Sequence, residues 1–453
     1  SQPFQRYTAS RMAFTSCSIQ INNAVTFCDS SIDSAKCFCS NKVALATLTH
    51  CYKIGHPQQM HSLLTYCESN GINLSWHDLH LAEETYESSA QYPSNIIGFN
   101  RSTPASVPIR LNETEIYDYG NSTSAFLGIY DKSSRYLLIL LSYWIVIFVI
   151  ACARHWCKHF FPGMVKHLTG KFNNIFRKYI DLPATFGQRK TKELSLWKFP
   201  LMLIPSRADT LIILVFVGML VFFVNYDTQG YSRDVIFKSQ EIFGKRTSAV
   251  RTSAILSYLL PLLVLFAGRV NTLQWLIGWD YATFITYHRW ISRIVVILSL
   301  LHAVNYRDYL LMEGFWDSER IKFYMVCGIH AYHAGILTLI QGLLCLRRSW
   351  YEVFLVLHIL LAGIFIVGGL YHARSIAYVW FYYFSVALWV SDRIVRIFLL
   401  FEFGFPRAKI ALIADECLKI TIPRPDHWEA IPGGHVFIQF LLLPIYFWQS
   451  HPF

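Results

Sequence analysis

Charge is what this 453-residue chain has least of: only 15% of its residues are Asp, Glu, Lys or Arg, while 54% are hydrophobic and the mean hydropathy is +0.33. A soluble enzyme of this length needs more polar surface, so a polytopic, all-α membrane protein is the expectation. A glycine-rich dinucleotide fingerprint is also missing, which leaves the chain without a Rossmann-type site for a nicotinamide nucleotide. Acidic residues are the scarcer sign, 29 against 40 basic ones, for a formal net charge of +11.

Windows of about twenty apolar residues mark membrane spans. Seven are read, at roughly 136–153, 208–225, 253–275, 284–304, 324–346, 352–372 and 376–400, with Pro261 interrupting the third. The segment before the first span carries four glycosylation sequons, at Asn73, Asn100, Asn112 and Asn121, and none follows it. Residues 1–134 are therefore expected outside the cell or in a lumen. That segment holds an even set of six cysteines, Cys17, Cys28, Cys37, Cys39, Cys51 and Cys67. In an oxidising compartment they suggest three disulfides with fifteen possible connectivities, a zinc site at Cys37 and Cys39 being the competitor. The other five cysteines read as packing residues. The loop at 154–207 is rich in Lys and Arg, Arg154, Lys158, Lys166, Lys171, Arg177 and Lys178 among them, and is expected in the cytosol. The positive balance thus follows from topology and anionic lipid, with no nucleic-acid partner required. Seven spans from an external N-terminus place the C-terminus inside, although the loop at 226–252 also carries Arg233, Lys238, Lys245, Arg246 and Arg251.

Two of the spans carry histidine at both ends. His288 and His302 lie fourteen residues apart in "HRWISRIVVILSLLHA", and His358 and His372 lie fourteen apart in "HILLAGIFIVGGLYHA". Fourteen steps return a helical side chain to within about 40° of its starting face, roughly 21 Å along the axis. In the expected topology the two helices run parallel. His288 then levels with His358 near the cytosol, and His302 with His372 near the outside. Two parallel helices with matched rungs are what two stacked b-type haems require, each iron taking one histidine from each helix. A lone histidine on an apolar helix more often hydrogen-bonds a neighbour; four with equal spacing and consistent depth favour haem. Gly363, Gly368 and Gly369 between the ligands permit close approach of a flat macrocycle or of another helix, and Phe365 falls midway between the rungs on nearly the same stripe. His330 and His333, three apart, cannot serve two rungs; they read as satisfied polar residues within the bundle, with contact to a haem propionate or an incoming metal as the alternative. Arg269, Arg289, Arg293 and Arg374 flank the ligand levels and suit propionates, or snorkel to the interface.

Past about residue 405 the pattern turns to short β-like runs, "KIALIADECLKITIPR" and "HVFIQFLLL". The stretches "IPGGHVFIQF" at 431–440 and "FWQSHPF" at 447–453 resemble the opening of the flavin-binding barrel in fungal ferric and cupric reductases, members of the superfamily that includes the NADPH oxidases. "FAGRVNTLQWLIGWDYATFITYHRW" at 266–290 is similar to the family's signature around its first haem ligand, and the cysteine-bearing N-terminal segment is similar too. The resemblance covers nearly the whole chain. It implies that His451, Pro452 and Phe453 line FAD, that NADPH is the electron donor through a domain not in this chain, and that ferric or cupric chelates outside are the acceptors. The chain is accordingly expected to be the ordered part of a longer protein whose signal peptide is already removed.

The expected organisation is a cysteine-rich glycosylated domain at 1–134, a di-haem membrane domain at 135–403 and the start of a cytosolic FAD-binding barrel at 404–453. The expected activity is NADPH-dependent metal reduction across the plasma membrane, with a vacuolar membrane as the alternative. Basic residues of the loop at 226–252, with Arg307, Arg320 and Lys322, suit anionic ferric chelates. Two other readings stay open: an NADPH oxidase delivering electrons to oxygen, and a haem-carrying subunit whose flavoprotein partner is a separate chain.

Overall fold

The computed structural model describes residues 7–29, 32–186, 193–197, 199–237, 239–376, 378–415, 417–428, 436–439 and 451–452. Phe453 and Lys238, both singled out above, lie outside the described residues. Two compact units divide the chain, Ser1–Leu388 and Trp389–Phe453.

The first unit begins with five helices, α1 (Ala9–Ala24), α2 (Ser34–Ser40), α3 (Lys42–Gly55), α4 (Met60–Ser69) and α5 (Trp76–Ser89). Their ends are written locally: Thr8, Asp33, Asn41 and Ser75 each accept a backbone N–H as N-caps. Ala13, Cys17, Ile21, Ala44, Leu48, Tyr52 and Leu63 form a small fully buried core. The six N-terminal cysteines pair as Cys17–Cys51, Cys28–Cys37 and Cys39–Cys67. The first bridge ties α1 to α3 and the third ties α2 to α4, which compensates for a core too small to hold five short helices alone. Cys37 and Cys39 belong to different bridges, so the zinc reading of that pair is overturned. All four sequon asparagines are exposed.

Asn112 N-caps α6 (Glu113–Phe160), 48 residues without a break. At 1.5 Å per residue it is about 72 Å long, more than twice the ~30 Å hydrocarbon core of a bilayer. Its first third packs against α1 and α3, and the apolar part beyond residue 135 is free to cross the membrane. Short helices α7 (Pro162–Lys166) and α8 (Lys171–Phe176) and an antiparallel hairpin, β1 (Glu193–Leu196) with β2 (Phe199–Leu203), follow within the basic loop. Then come α9 (Arg207–Asn225), α10 (Gln240–Ala267), α11 (Thr272–Ile277), α12 (Tyr281–Glu313), α13 (Trp316–Glu319), α14 (Phe323–Gln341), α15 (Leu344–Ser349), α16 (Tyr351–Ala373) and α17 (Val379–Phe403). Ser206, Ser239 and Asp280 cap α9, α10 and α12.

Six of these, α6, α9, α10, α12, α14 and α16, are long and apolar enough to cross a membrane among the described residues. Seven were expected. The seventh corresponds to α17, whose run is interrupted by Asp392, Arg393 and Arg396, with Asp392 and Arg396 paired at 2.5 Å. The third span also ends earlier than its hydropathy suggests, because α10 stops at Gly268 and Asn271 starts α11, whereas Pro261 leaves α10 unbroken.

Contacts at the helix ends show that successive spans alternate in direction. At the end carrying the disulfides, here called upper, Lys132 pairs with Asp227 at 2.6 Å, Arg233 with Asp118 at 3.2 Å and Lys245 with Asp308 at 2.8 Å. At the lower end Arg154 pairs with Asp181 at 3.0 Å, and the Tyr287 hydroxyl donates to Asp209 at 2.8 Å. Buried Arg251 in α10 caps the upper end of α9 by donating to the carbonyls of Phe223, Tyr226 and Asp227. Around these contacts Trp144, Phe216, Phe266, Phe284 and Tyr287 form an aromatic core. Helix α10 packs along α12 and α14 along α16, while α12 and α16 scarcely touch.

In the second unit Gly404 leaves α17 at φ +80°. Antiparallel β3 (Lys409–Ala414) and β4 (Cys417–Thr421) form a bulged hairpin, and β5 (Phe437–Ile438) pairs with β6 (His451–Pro452).

Candidate functional site

The four span histidines meet as two pairs facing each other across α12 and α16. His288 and His358 form the lower pair, with ring centres 6.2 Å apart and planes at 66°. His302 and His372 form the upper pair, 6.0 Å apart and at 73°. A metal bonded at about 2 Å to one nitrogen of each ring separates ring centres by roughly 6 Å.

Each Nδ1 is already engaged. His288 bonds the Leu263 carbonyl at 3.0 Å, His302 that of Ala249 at 2.8 Å and His372 that of Tyr324 at 3.0 Å. A carbonyl can only accept, so these three Nδ1 atoms carry the proton and each Nε2 keeps its lone pair. His358 Nδ1 lies 3.4 Å from the Gln341 amide nitrogen. Gln341 Oε1 is buried without a partner, and turning the amide over lets that oxygen accept from Nδ1 and brings His358 into line with the others. Metal-ligating histidines are held in this way, the second nitrogen tied to a carbonyl to fix tautomer and ring plane.

Among the described residues no group of three or more His, Cys, Asp or Glu side chains could hold a bare metal ion. Two opposed imidazoles suit a group that brings its own remaining ligands, as a haem would. The surroundings fit such a group. Gly328 of α14 makes room for a ligand ring, since a Cβ there would lie 2.5 Å from His372 Nδ1. Phe365, between the rungs, packs on Gly335, where a Cβ would lie 3.0 Å from its ring. Gly368 and Gly369 resolve toward helix packing: a Cβ would meet the Cys327 carbonyl at 2.9 Å in one case and the Tyr382 ring in the other.

Arg289 and Arg293 lie near the lower pair and are joined by Arg347 of α15, each within electrostatic reach of another. Arg289 Nε is buried without a hydrogen-bond partner. Arg374 is exposed at the end of α16. His330 and His333 are exposed on α14 rather than inside the bundle, each bonding the carbonyl four residues back, Val326 at 2.8 Å and Ile329 at 2.7 Å; the expected interior placement is corrected because both rings lie at the surface, satisfied by their own helix. His330 lines an apolar cleft of about 610 Å³ with Val326, Cys327, Ile359, Gly363 and Val367. His451 and Pro452 pair with Ile438 and Phe437 in the second unit.

Sequence reasoning missed Tyr306, Tyr324, Gly328 and Gln341. Tyr306 stacks on His302 at 5.7 Å and Tyr324 lies against His372 at 5.8 Å. No spacing rule links Tyr324 to a histidine 48 residues away.

The description "Ferric reductase like transmembrane component" matches residues 252–369, and "FAD-binding domain" matches 402–453. The first span of matched residues takes in His288, His302 and His358 and stops just short of His372. Ferric/cupric reductase transmembrane component 1 of Candida albicans is 36% identical over 348 residues, 76% of this chain and 46% of that protein. The chain belongs to the fungal ferric/cupric reductase family. Another member, ferric/cupric reductase transmembrane component 2 of Saccharomyces cerevisiae, is 30% identical over 347 residues, 76% of this chain and 48% of that protein. The chain thus spans about half the length of the curated relatives it matches. As a family member it is a multi-pass membrane component with the start of an FAD-binding domain.

Proposed function

We propose that the chain is the membrane part of an enzyme that carries electrons from cytosolic NADPH, by way of FAD and two b-type haems, to ferric or cupric chelates outside the cell. The observation that carries this reading is the arrangement of the four histidines: opposed rings about 6 Å apart, with Nδ1 engaged and Nε2 free to bind. The two histidines of each pair would hold one haem, and that group would supply one-electron chemistry there. The protein's part is placement. His288 and His358 hold the lower group, His302 and His372 the upper, on stripes about 21 Å apart along each helix. Leu263, Ala249 and Tyr324 carbonyls keep the ligand rings in one tautomer and plane. Arg289, whose Nε is buried without a hydrogen-bond partner, and the neighbouring Arg293 and Arg347 offer guanidinium donors to the propionates of the lower group. His451, Pro452 and Phe453 belong to the flavin site.

The disulfides and sequons support an external segment 1–134; we further propose a membrane domain 135–403 in which α17 serves as the seventh span, a cytosolic flavin domain from 404, and the plasma membrane as the site. The test is an absorption spectrum of the purified full-length protein with haem quantified per chain, followed by ferric-chelate reduction with NADPH. Two bis-histidine haems and NADPH-driven reduction are expected; a colourless polypeptide ends the proposal. Superoxide production that ferric chelate does not suppress would move the acceptor to oxygen.

A further inference from the structure

Three contacts converge on Tyr324, the second residue of α14. Its carbonyl accepts from His372 Nδ1 at 3.0 Å. Its ring lies 5.8 Å from the His372 ring at 30°. Its hydroxyl donates to Glu319 Oε2 in a short hydrogen bond. Glu319 closes α13, in the segment joining α12 to α14, and its other oxygen accepts from Lys322 at 2.5 Å. A continuous bonded path therefore runs from that connecting segment to one ligand of the upper pair. The lower pair is held differently: His288 by the Leu263 carbonyl within α10, and His358 by the Gln341 side chain.

An imidazole's plane and donor strength follow the acceptor on its second nitrogen. For His372 that acceptor is the backbone of a residue whose side chain is anchored outside the bundle. We propose that Glu319 and Tyr324 form a latch through which the segment 314–322 sets the plane and hydrogen bond of His372, so that Tyr324 is a positioning residue for the upper haem. This rests on the haem reading above. The latch links the surface facing the metal substrate to the redox centre nearest it, so that whatever strains the segment retunes the upper site and leaves the lower one alone.

The test uses full-length protein carrying Tyr324→Phe or Glu319→Gln, with four readouts: haem per chain, the low-spin ferric EPR signals, the midpoint potential of each haem, and kcat and KM for ferric citrate. The angle between axial imidazole planes governs the anisotropy of the EPR signal, so a turned His372 is visible there. Both variants are expected to keep two haems and to shift one of the two signals. Loss of the carboxylate charge in Glu319→Gln moves that haem's midpoint positive, and kcat falls about tenfold with KM unchanged. Unchanged signals, potentials and kcat in both variants overturn the latch. So does haem loss in Tyr324→Phe beside a Glu319→Gln protein identical to the parent, which makes Tyr324 a packing residue only. Absence of haem from the unsubstituted protein overturns the latch and the haem reading together.

Discussion

The lower and upper histidine pairs share their residue types and an α10 carbonyl as partner, and little else. Around His288 and His358 stand Arg289, Arg293 and Arg347, with Phe354 against His358 at 5.3 Å. Around His302 and His372 stand two tyrosines, one of them tied to a surface carboxylate. With histidine facing histidine in both pairs, charge, hydrogen bonding and access set the two sites apart. The lower pair is built among cations and ring faces and held from within the bundle; the upper pair is held partly from the connecting segment above it. One motif used twice thus makes two different sites.

The strongest way to break this comparison is to remove one ligand from each pair. His288→Ala and His302→Ala should each lower haem from two per chain to one. His302→Ala should abolish ferric reduction while flavin reduction by NADPH, followed by flavin bleaching, continues in the full-length protein. Retention of both haems in either variant would show that the pairs are wrongly drawn.

A smaller wedge comes next. Gly328→Ala places a methyl where Nδ1 of His372 now lies 2.5 Å from the new carbon, whereas Gly335→Ala meets only the edge of Phe365 at 3.0 Å. The first should deplete or distort the upper haem alone, and the second should leave both in place with at most a small spectral shift; haem content and the two EPR signals separate these outcomes. Gln341→Leu removes the side-chain bond to His358. It should retain haem and lower turnover by about tenfold or less, with the change confined to the lower signal.

The mildest probe is pH. Hydrogen bonds from Lys322 and then Tyr324 hold the Glu319 carboxyl below its ordinary value of 4.5. An acid held low in the folded state keeps its contribution above the ordinary value and loses it as pH falls through the folded one. The upper midpoint should therefore show no Glu319-linked change as external pH falls to 4.5 and should turn positive only below it, with the lower midpoint unaffected. A transition well above that value would detach Glu319 from the upper site.

Much of the site was legible before any fold was known, because helical repeat is local information. The fourteen-residue spacing put His288 above one end of its helix and His302 above the other, and the same for His358 and His372. Six cysteines announced three bridges. Hydropathy was a weaker guide at the ends of runs: it carried the third span past Gly268. It also had nothing to say about the β1–β2 hairpin in the basic loop or about the outward stripe of His330 and His333.

By itself the sequence determined a helical membrane protein, the two evenly spaced histidine pairs and the number of bridges, since composition, period and residue chemistry act over a few turns of one helix. Which cysteine meets which, which carbonyl receives each imidazole, and that Tyr324 stands between Glu319 and His372 were decided only by tertiary structure. Those contacts join residues on different elements, and their geometry depends on how helices pack, which no local pattern encodes.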